Sequence, residues 1–261
     1  MRMYLINLAR RPDRLAAMRA QIAGLAPSLE RVEAVDAQTA DPALLDRWFR
    51  ANGPLGEIPR GDKACLLSHR AAWEAFLATG AAHGVFLEDD VRLSAVAGPW
   101  LESDSWIPAG VGVVKLEHYG LPGQRVLLAD QKAVGADFKL GRMLSRHTGA
   151  AAYILSRAAA QLLAAETRFD LPVDHLLFNP NNSALFASLS PWQLLPAIAR
   201  QQGFVGATSD IENTRVKLRQ MSWTYVRREL VRFAYDLKLV PRQVMALLRG
   251  AKFVAVKTAD S

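Results

Sequence analysis

The sequence predicts an α/β protein built on a sheet of buried strands, with a basic, helical C-terminal extension. Three observations carry this reading. Several short runs are apolar throughout and end abruptly in polar residues, Tyr4–Leu8 and Val85–Leu87 most clearly; unalternating runs of this length suit strands covered on both faces, as in a parallel sheet. Between them apolar residues recur at intervals of three and four, the period of a helix with one buried side. Positive charge gathers at the far end, where residues 215–261 hold 11 Lys and Arg against 3 Asp and Glu, while the first 214 residues hold 21 against 22.

In chain order, Tyr4–Leu8 is the first strand. Arg10-Arg11-Pro12-Asp13-Arg14 follows, and Leu15, Met18, Ile22 and Leu25 then fall at helical spacing, with Pro12 and Asp13 suited to the first turn. Arg31–Val35 alternates and ends at Asp36 as a second strand, a helix covers Pro42–Arg50, and the Gly- and Pro-rich stretch from Asn52 to Gly61 is a loop. Asp62 is suited to cap the next helix, which runs to Thr79 and stops at Gly80. After the strand that starts at Gly84 come a helix around Val96–Leu101 and a strand at Gly112–Leu116, with Glu117–Gly120 as its exit. A hairpin over Val126–Asp137 and a strand at Gly149–Leu155 follow. Ser156 caps an Ala-rich helix to Ala165, another helix starts at Leu171–His175, Leu185–Leu189 reads as a strand, and Pro191 and Pro196 mark an extended segment.

The bulk composition narrows the class. A chain of 261 residues that is 51% hydrophobic can bury a substantial core. A single cysteine, Cys65, excludes an internal disulfide framework and a four-cysteine metal site, and it reads as a small buried residue. The apolar stretch at the N-terminus is too short for a signal peptide, and no run approaches the ~18 apolar residues of a membrane span, so the sequence predicts a cytoplasmic protein.

The chemistry concentrates where Val85-Phe86-Leu87 runs into Glu88-Asp89-Asp90. Strand side chains alternate, so Glu88 and Asp90 project to one side and Asp89 to the other. Carboxylates two apart at a strand's carboxyl end, which in an open α/β sheet faces the ligand crevice, offer hard oxygens to Mg²⁺ or Mn²⁺ carrying a diphosphate. The alternative is a solvated acidic turn. Likewise Arg10, Arg11 and Arg14, between a strand and a helix N-terminus, suit a phosphate or form a solvated basic cluster. On the third helix Leu66, His69, Trp73 and Phe76 share a stripe, which makes His69 a hydrogen-bonded core residue or a pocket residue. Asp174 falls in the first turn of its helix.

These motifs occur together in a fixed order, and with them the sequence resembles glycosyltransferase family 25, the lipooligosaccharide and collagen galactosyltransferases. The carrying residues are Ile6-Asn7-Leu8 with Arg10-Arg11-Pro12-Asp13-Arg14, Glu33-Ala34-Val35-Asp36, Cys65-Leu66-Leu67-Ser68-His69 with Trp73, and Leu87-Glu88-Asp89-Asp90. Gly149–Ser156, Pro172-Val173-Asp174 and Ser209-Asp210-Ile211 complete them, so the likeness runs from residue 1 to 211. In one departure, the family's Gly-Glu-x-Gly-Cys turn reads Gly61-Asp62-Lys63-Ala64-Cys65 here.

The resemblance implies a GT-A-like, Rossmann-type nucleotide-sugar domain, taken as residues 1–213; residues 214–261, read from their charge and apolar spacing, are the basic amphipathic extension. It implies an inverting, metal-dependent transfer from a UDP-sugar, galactose first among them, to a hydroxyl of a cell-envelope saccharide or glycolipid. Mn²⁺ or Mg²⁺ would sit on Glu88 and Asp90, and donor contacts fall to Asn7, Arg10, Arg11, Asp13, Arg14, Ser68, His69 and Asp89. Asp174 is the candidate base, with two alternatives left open: a cap for its own helix, or a metal ligand together with His175.

Two rival classes fit less well. A two-metal phosphohydrolase needs a second His and Asp cluster, and the five histidines are scattered. A nucleic-acid-binding protein would carry its charge across the body, which here is neutral, so no nucleic acid is expected as a partner. The extension reads differently. Trp223, Val226, Leu230, Phe233 and Leu237 recur at helical spacing beside Arg227, Arg228, Arg232 and Lys238, Pro241 breaks the helix, and Val244, Leu247, Leu248 and Phe253–Val256 extend the apolar surface. Such a segment either packs on the body or lies on an anionic bilayer. A lipid-linked acceptor favours the bilayer, peripheral to the cytoplasmic face of an inner membrane.

Overall fold

The apolar runs assemble into one nine-stranded sheet in a computed structural model that describes residues 1–25, 28–120, 124–135, 137–201 and 237–260. Ser209–Ile211 and the helical pattern from Trp223 to Phe233 lie outside the described residues. In chain order the strands are β1 (Arg2–Asn7), β2 (Leu29–Glu33), β3 (His83–Glu88), β4 (Val91–Leu93), β5 (Val113–Lys115), β6 (Glu117–His118) and β7 (Arg125–Ala133). Then come β8 (Lys139–Met143), β9 (Ala152–Ser156), β10 (Pro191–Leu195), β11 (Ala199–Gln201) and β12 (Lys252–Ala255). The helices are α1 (Pro12–Ile22), α2 (Pro42–Arg47), α3 (Arg60–Leu77), α4 (Gly98–Glu102), α5 (Arg157–Ala164), α6 (Val173–Phe178) and α7 (Phe186–Leu189). Residues 237–248 are also helical.

The large sheet has the order β12-β7-β8-β10-β5-β9-β3-β1-β2, and a small sheet has the order β4-β11-β6. β2, β1 and β3 are parallel, but β9 runs antiparallel between β3 and β5, and the β7–β8 and β12–β7 pairs are antiparallel too. The sheet is therefore mixed, not the parallel sheet the apolar runs predicted. A strand inserted against the grain is covered on both faces like its neighbours, so burial pattern does not reveal its direction.

Alternation along the parallel strands sorts the core into two layers. Tyr4, Ile6, Phe86 and Tyr153 face Trp73 and Phe76 of α3, while Met3, Leu5, Val85 and Leu87 face Met18 and Ile22 of α1. Cross-strand register places Tyr4 beside Phe86 and Phe86 beside Tyr153, and their rings stack with centroids 5.4 and 5.2 Å apart. The same alternation turns Glu88, two residues beyond Phe86, toward α3.

Several local expectations need correction. The helix expected to begin at Asp62 begins at Arg60, with Pro59 in the cap position, and Asp62 is a buried first-turn acid complementing the helix dipole. Leu185–Leu189 is not a strand; its end forms α7, which Ser190 stops in the left-handed conformation. Glu117–His118 is not a loose exit but β6, where the chain leaves the large sheet for the small one. Pro241 lies inside the helix at 237–248, not at its end; a helix loses one backbone hydrogen bond at such a proline without having to stop. Finally, β12 pairs antiparallel with β7, so the end of the basic extension is an edge strand of the main sheet. Ser156 does cap α5, accepting a hydrogen bond from the Ala159 N–H at 3.2 Å.

Gly84 lets α3 approach β3, since a Cβ there would stand 2.8 Å from Cδ2 of Phe76. The Phe76 ring is wedged edge-on against Tyr4 and Phe86 and cannot swing aside. We expect Gly84→Ala to lower stability by ~1–3 kcal/mol in urea denaturation. Gly80→Ala, where a Cβ meets nothing within 4 Å, should change it by less than ~0.5 kcal/mol. Equal effects would dismiss the wedge.

Candidate functional site

The carboxyl ends of β1, β2 and β3 open into a cavity of about 370 Å³. Its walls are Arg10 and Arg14 after β1, Ala34–Gln38 after β2, Arg60, Gly61, Ala64, Cys65, Ser68 and His69 of α3, Glu88–Asp90 after β3, and Gln201 of β11. The crevice thus stands at the strand ends, where the sequence put it.

The three consecutive acids have separate environments. Glu88 Oε1 lies 3.0 Å from His69 Nε2 and 3.8 Å from Cys65 Sγ. Asp89 turns the other way and accepts from Asn7 Nδ2 at 2.7 Å and from Arg14 Nη1 at 3.1 Å. Asp90 accepts from Gln201 Nε2 at 3.0 Å through Oδ2, whereas its buried Oδ1 has no hydrogen-bond partner. Burial first, and the charge of Glu88 second, push the Asp90 carboxyl up to about 7.

The residues after β1 divide between cavity and scaffold. Asn7 is buried and has both side-chain N–H groups committed, to the Arg11 carbonyl and to Asp89, while its oxygen accepts from Arg31 Nε. It holds the loop instead of lining the cavity. Arg11 forms a two-pronged pair with Asp13, at 3.0 and 2.7 Å, and that hydrogen bond above all lowers the Asp13 carboxyl to about 2; neither residue reaches the cavity wall. Arg10 does line the cavity and donates to Asp36 at 2.6 Å. Burial works to raise the Asp36 carboxyl, but the Gln38 N–H and Arg10 outweigh it and lower it.

On α3, His69 combines the two roles the sequence left open. Its ring is fully buried, yet it forms part of the cavity wall. Nδ1 lies 2.8 Å from Tyr153 Oη, which also accepts from Trp73 Nε1 at 2.8 Å. Burial pushes the Tyr153 phenol well above its usual range, so it keeps its proton and donates it to Nδ1. That assigns the remaining ring N–H to Nε2, which donates to Glu88. Ser68 Oγ donates to the Ala64 carbonyl and accepts from the Val35 N–H at 2.9 Å, tying α3 to the segment after β2. Cys65 is half-buried on the cavity wall, not a filler of the core.

Asp174 and His175 stand apart from this lining. Asp174 occupies the first turn of α6, where its Oδ1 accepts from the His175 N–H at 2.9 Å, and His175 Nδ1 takes a hydrogen bond from Asn179 at 2.7 Å. What links Asp174 to the cavity is a group the sequence did not single out. Lys115 is fully buried, bonded to Glu117 at 2.8 Å and lying over the Phe178 ring, and the charges of both Asp174 and Glu88 act on it. Burial pushes Lys115 down and Glu117 up, each restrained by the other. A lysine inside the run Val113–Leu116 was the available signal.

The profile of glycosyltransferase family 25, described as an LPS biosynthesis protein family, matches residues 1–177, a span that includes Asn7, Glu88, Asp90 and Asp174. The chain belongs to glycosyltransferase family 25. Among relatives, the lacto-N-neotetraose biosynthesis glycosyltransferase LgtB of Neisseria gonorrhoeae is 32% identical over 157 residues, 54% of this chain and 53% of that protein. The lipooligosaccharide biosynthesis protein lic2B of Haemophilus influenzae is 27% identical over 56% of each chain. The mouse protein named inactive glycosyltransferase 25 family member 3 is 35% identical over 96 residues, 34% of this chain and 16% of its own length. The chain therefore spans about half, or less, of the length of these relatives. A solved glycosyltransferase involved in glycosylation of the PBCV-1 major capsid aligns with 84% of this chain at 9% identity and a TM-score of 0.37.

The divalent cation implied by the family-25 likeness can be tested on the residues present. Asp90 Oδ1 is buried without a partner, and its carboxyl is held partly protonated beside Glu88. A hard cation shared by the two carboxylates would satisfy that oxygen and relieve the repulsion, so the residues fit Mg²⁺ or Mn²⁺.

This makes a stability prediction. An acid whose folded value is about 7 against an ordinary 3.8 binds more protons when folded, so stability falls as pH rises between those values. Without metal, Asp90→Asn should therefore match the native chain near pH 4 and exceed it by ~2–4 kcal/mol at pH 8. Mn²⁺ should then stabilise the native chain and leave the variant unmoved. Thermal melts across pH check both, and a variant less stable at pH 8 would contradict the buried, repelled carboxyl.

Proposed function

We propose that this family-25 chain is a GT-A-like, inverting glycosyltransferase that moves a sugar, galactose in the first instance, from a UDP-sugar to a hydroxyl of a cell-envelope saccharide. One observation supports it above the others. A single cavity combines two arginines at a helix N-terminus with a pair of carboxylates, one bearing an unpartnered buried oxygen. The names of the relatives, in lipooligosaccharide and lacto-N-neotetraose biosynthesis, favour a saccharide acceptor.

Mn²⁺ or Mg²⁺ on Glu88 and Asp90 would supply charge neutralisation for a departing diphosphate. Arg10 and Arg14, which line the same cavity, bind the diphosphate through their guanidinium groups. Asn7 and Asp89 keep that loop in place, and the fixed N–H of His69 orients Glu88. Asp174 takes the proton of the acceptor hydroxyl as its oxygen bonds to the anomeric carbon. The bond from that carbon to the phosphate oxygen breaks on the far face, and UDP leaves with the electron pair.

The helix at 237–248 supports a bilayer partner, which this reading puts at the cytoplasmic face of an inner membrane. Leu237, Val240, Val244, Met245, Leu247 and Leu248 are exposed, Leu248 at 77%, and Arg242, Arg249 and Lys252 stand around them. An apolar surface ringed by basic residues suits an anionic bilayer better than nucleic acid, where exposed leucines contribute nothing. Among the described residues no helix is long and apolar enough to cross a membrane.

Two measurements test this. UDP-sugar turnover, with UDP-galactose first, should require Mn²⁺ or Mg²⁺ and should fall by ~10²-fold or more in kcat for Asp174→Asn, with UDP binding retained. If cation affinity collapses in that variant, Asp174 is a ligand instead. Flotation with phosphatidylglycerol vesicles should carry the chain upward at low salt, and Leu247→Glu with Leu248→Glu should leave it at the bottom of the gradient. Unchanged flotation would rule out this face.

A further inference from the structure

We propose that Cys65, His69 and Glu88 form a binding site for a borderline-soft divalent cation of the zinc class, which competes with Asp90 for the Glu88 carboxylate. The competition rests on the metal reading above, whereas the binding site stands on its own geometry.

Cys65 and His69 are one helical turn apart on α3 and present their ligating atoms toward the end of β3. Sγ lies 3.8 Å and Nε2 lies 3.0 Å from Glu88 Oε1, and all three ligating atoms fall within 4.8 Å of one another. Tetrahedral zinc with these ligand types needs neighbouring donors about 3.3–3.6 Å apart. The trio therefore closes around such an ion with shifts of a few tenths of an ångström to about 1 Å. Among the described residues it is the one such group of three, and it includes neither Asp90, Asp174 nor His175. Its fourth side faces the cavity.

The donor set decides the class of ion. Thiolate and imidazole prefer zinc and its borderline neighbours, while Mg²⁺ and Mn²⁺ prefer carboxylate and water. The surroundings suit a metal-bound histidine as well, because Tyr153 Oη stands 2.8 Å from Nδ1 to receive the other ring N–H. Proton balance follows from the assigned tautomer. On binding, the Cys65 thiol loses its proton to solvent, and the His69 proton moves from Nε2 to Nδ1, where Tyr153 accepts it. The phenol O–H gives up Nδ1 as its acceptor, a lost hydrogen bond that the new metal–ligand bonds must outweigh, and one proton is released per ion.

The test uses the full 261-residue chain, stripped of metal and titrated with Co²⁺. A thiolate-to-cobalt charge-transfer band and intense tetrahedral d–d bands should appear, then bleach when Zn²⁺ is added, with one proton released. Cys65→Ser should lose the charge-transfer band and bind Zn²⁺ at least ~10-fold more weakly by chelator competition. Tyr153→Phe should keep the band and weaken binding by ~10–100-fold. A native spectrum without the band, or unchanged Zn²⁺ affinity in Cys65→Ser, would overturn the site. For the competition, Mn²⁺ affinity measured by electron paramagnetic resonance should drop at least ~10-fold with Zn²⁺ bound, and an unchanged value overturns it. If Mn²⁺ never binds while the cobalt band is intact, the competition and the metal reading fall together and the zinc site stands.

Discussion

The structure depends on one continuous contact, an aromatic ladder that ends in a hydrogen-bonded histidine. Tyr4, Phe86 and Tyr153 sit on adjacent strands in register and stack across the sheet. The last ring carries the hydroxyl that takes the Trp73 N–H and faces His69 Nδ1. His69 in turn reaches Glu88 at the cavity wall. A carboxylate at a strand end would ordinarily sample several rotamers, but this one is anchored through His69 and Tyr153 to the stacked rings of the core. Offset stacking adds about 0.5–1.5 kcal/mol per pair beyond burial, and here it also fixes where a charge stands.

Electrostatics around that anchor follow from which donor each carboxylate meets. Asp89 is matched by Arg14 and Asn7 and serves as a latch between the loop after β1 and the end of β3. Asp90 has Gln201 on one oxygen and nothing on the other. Deeper in, the chain crosses from the large sheet to the small one at Leu116, between β5 and β6. The crossing would strand backbone carbonyls, and Gln193 donates to those of both Lys115 and Glu117 at 3.3 Å. Gln193 in turn receives the Nδ1–H of His147, which burial lowers to about 3 and so keeps neutral. The Lys115–Glu117 pair occupies that junction. A buried pair of this kind is poor evidence for stability, but here the charges of both Glu88 and Asp174 act on its lysine.

The C-terminal segment joins the body in one part and leaves it in another. β12 continues the sheet beside β7, Ala259 N–H bonds the Ala197 carbonyl at 2.8 Å, and Ser94 Oγ donates to Asp260 at 2.6 Å. The preceding helix buries Leu239 and leaves most of its other apolar side chains exposed. A helix anchored at its C-terminal side by a strand can hold an apolar face outward without detaching, which is what a surface-docking element requires.

Periodicity and local chemistry in the sequence determined the strands at Tyr4–Leu8 and Val85–Leu87, the Leu66–Phe76 stripe, the Ser156 cap and the grouping of acids at a strand end. These are short-range properties, set by side-chain alternation and helical spacing within a few residues. Strand direction was not among them, because β9 is as apolar as its parallel neighbours and only its pairing partners fix its sense. The sequence also named Asn7, Ser68 and Asp89 without distinguishing scaffold from wall, since that depends on partners at Arg31, Val35 and Arg14 brought close by folding. Gln201 lies 111 residues from Asp90 and Tyr153 lies 84 from His69, so no spacing rule could join them. Tertiary structure alone decided which acid is latched, which is anchored and which is left with a bare oxygen, because that outcome depends on the nearest donor in space and not on the neighbouring residue.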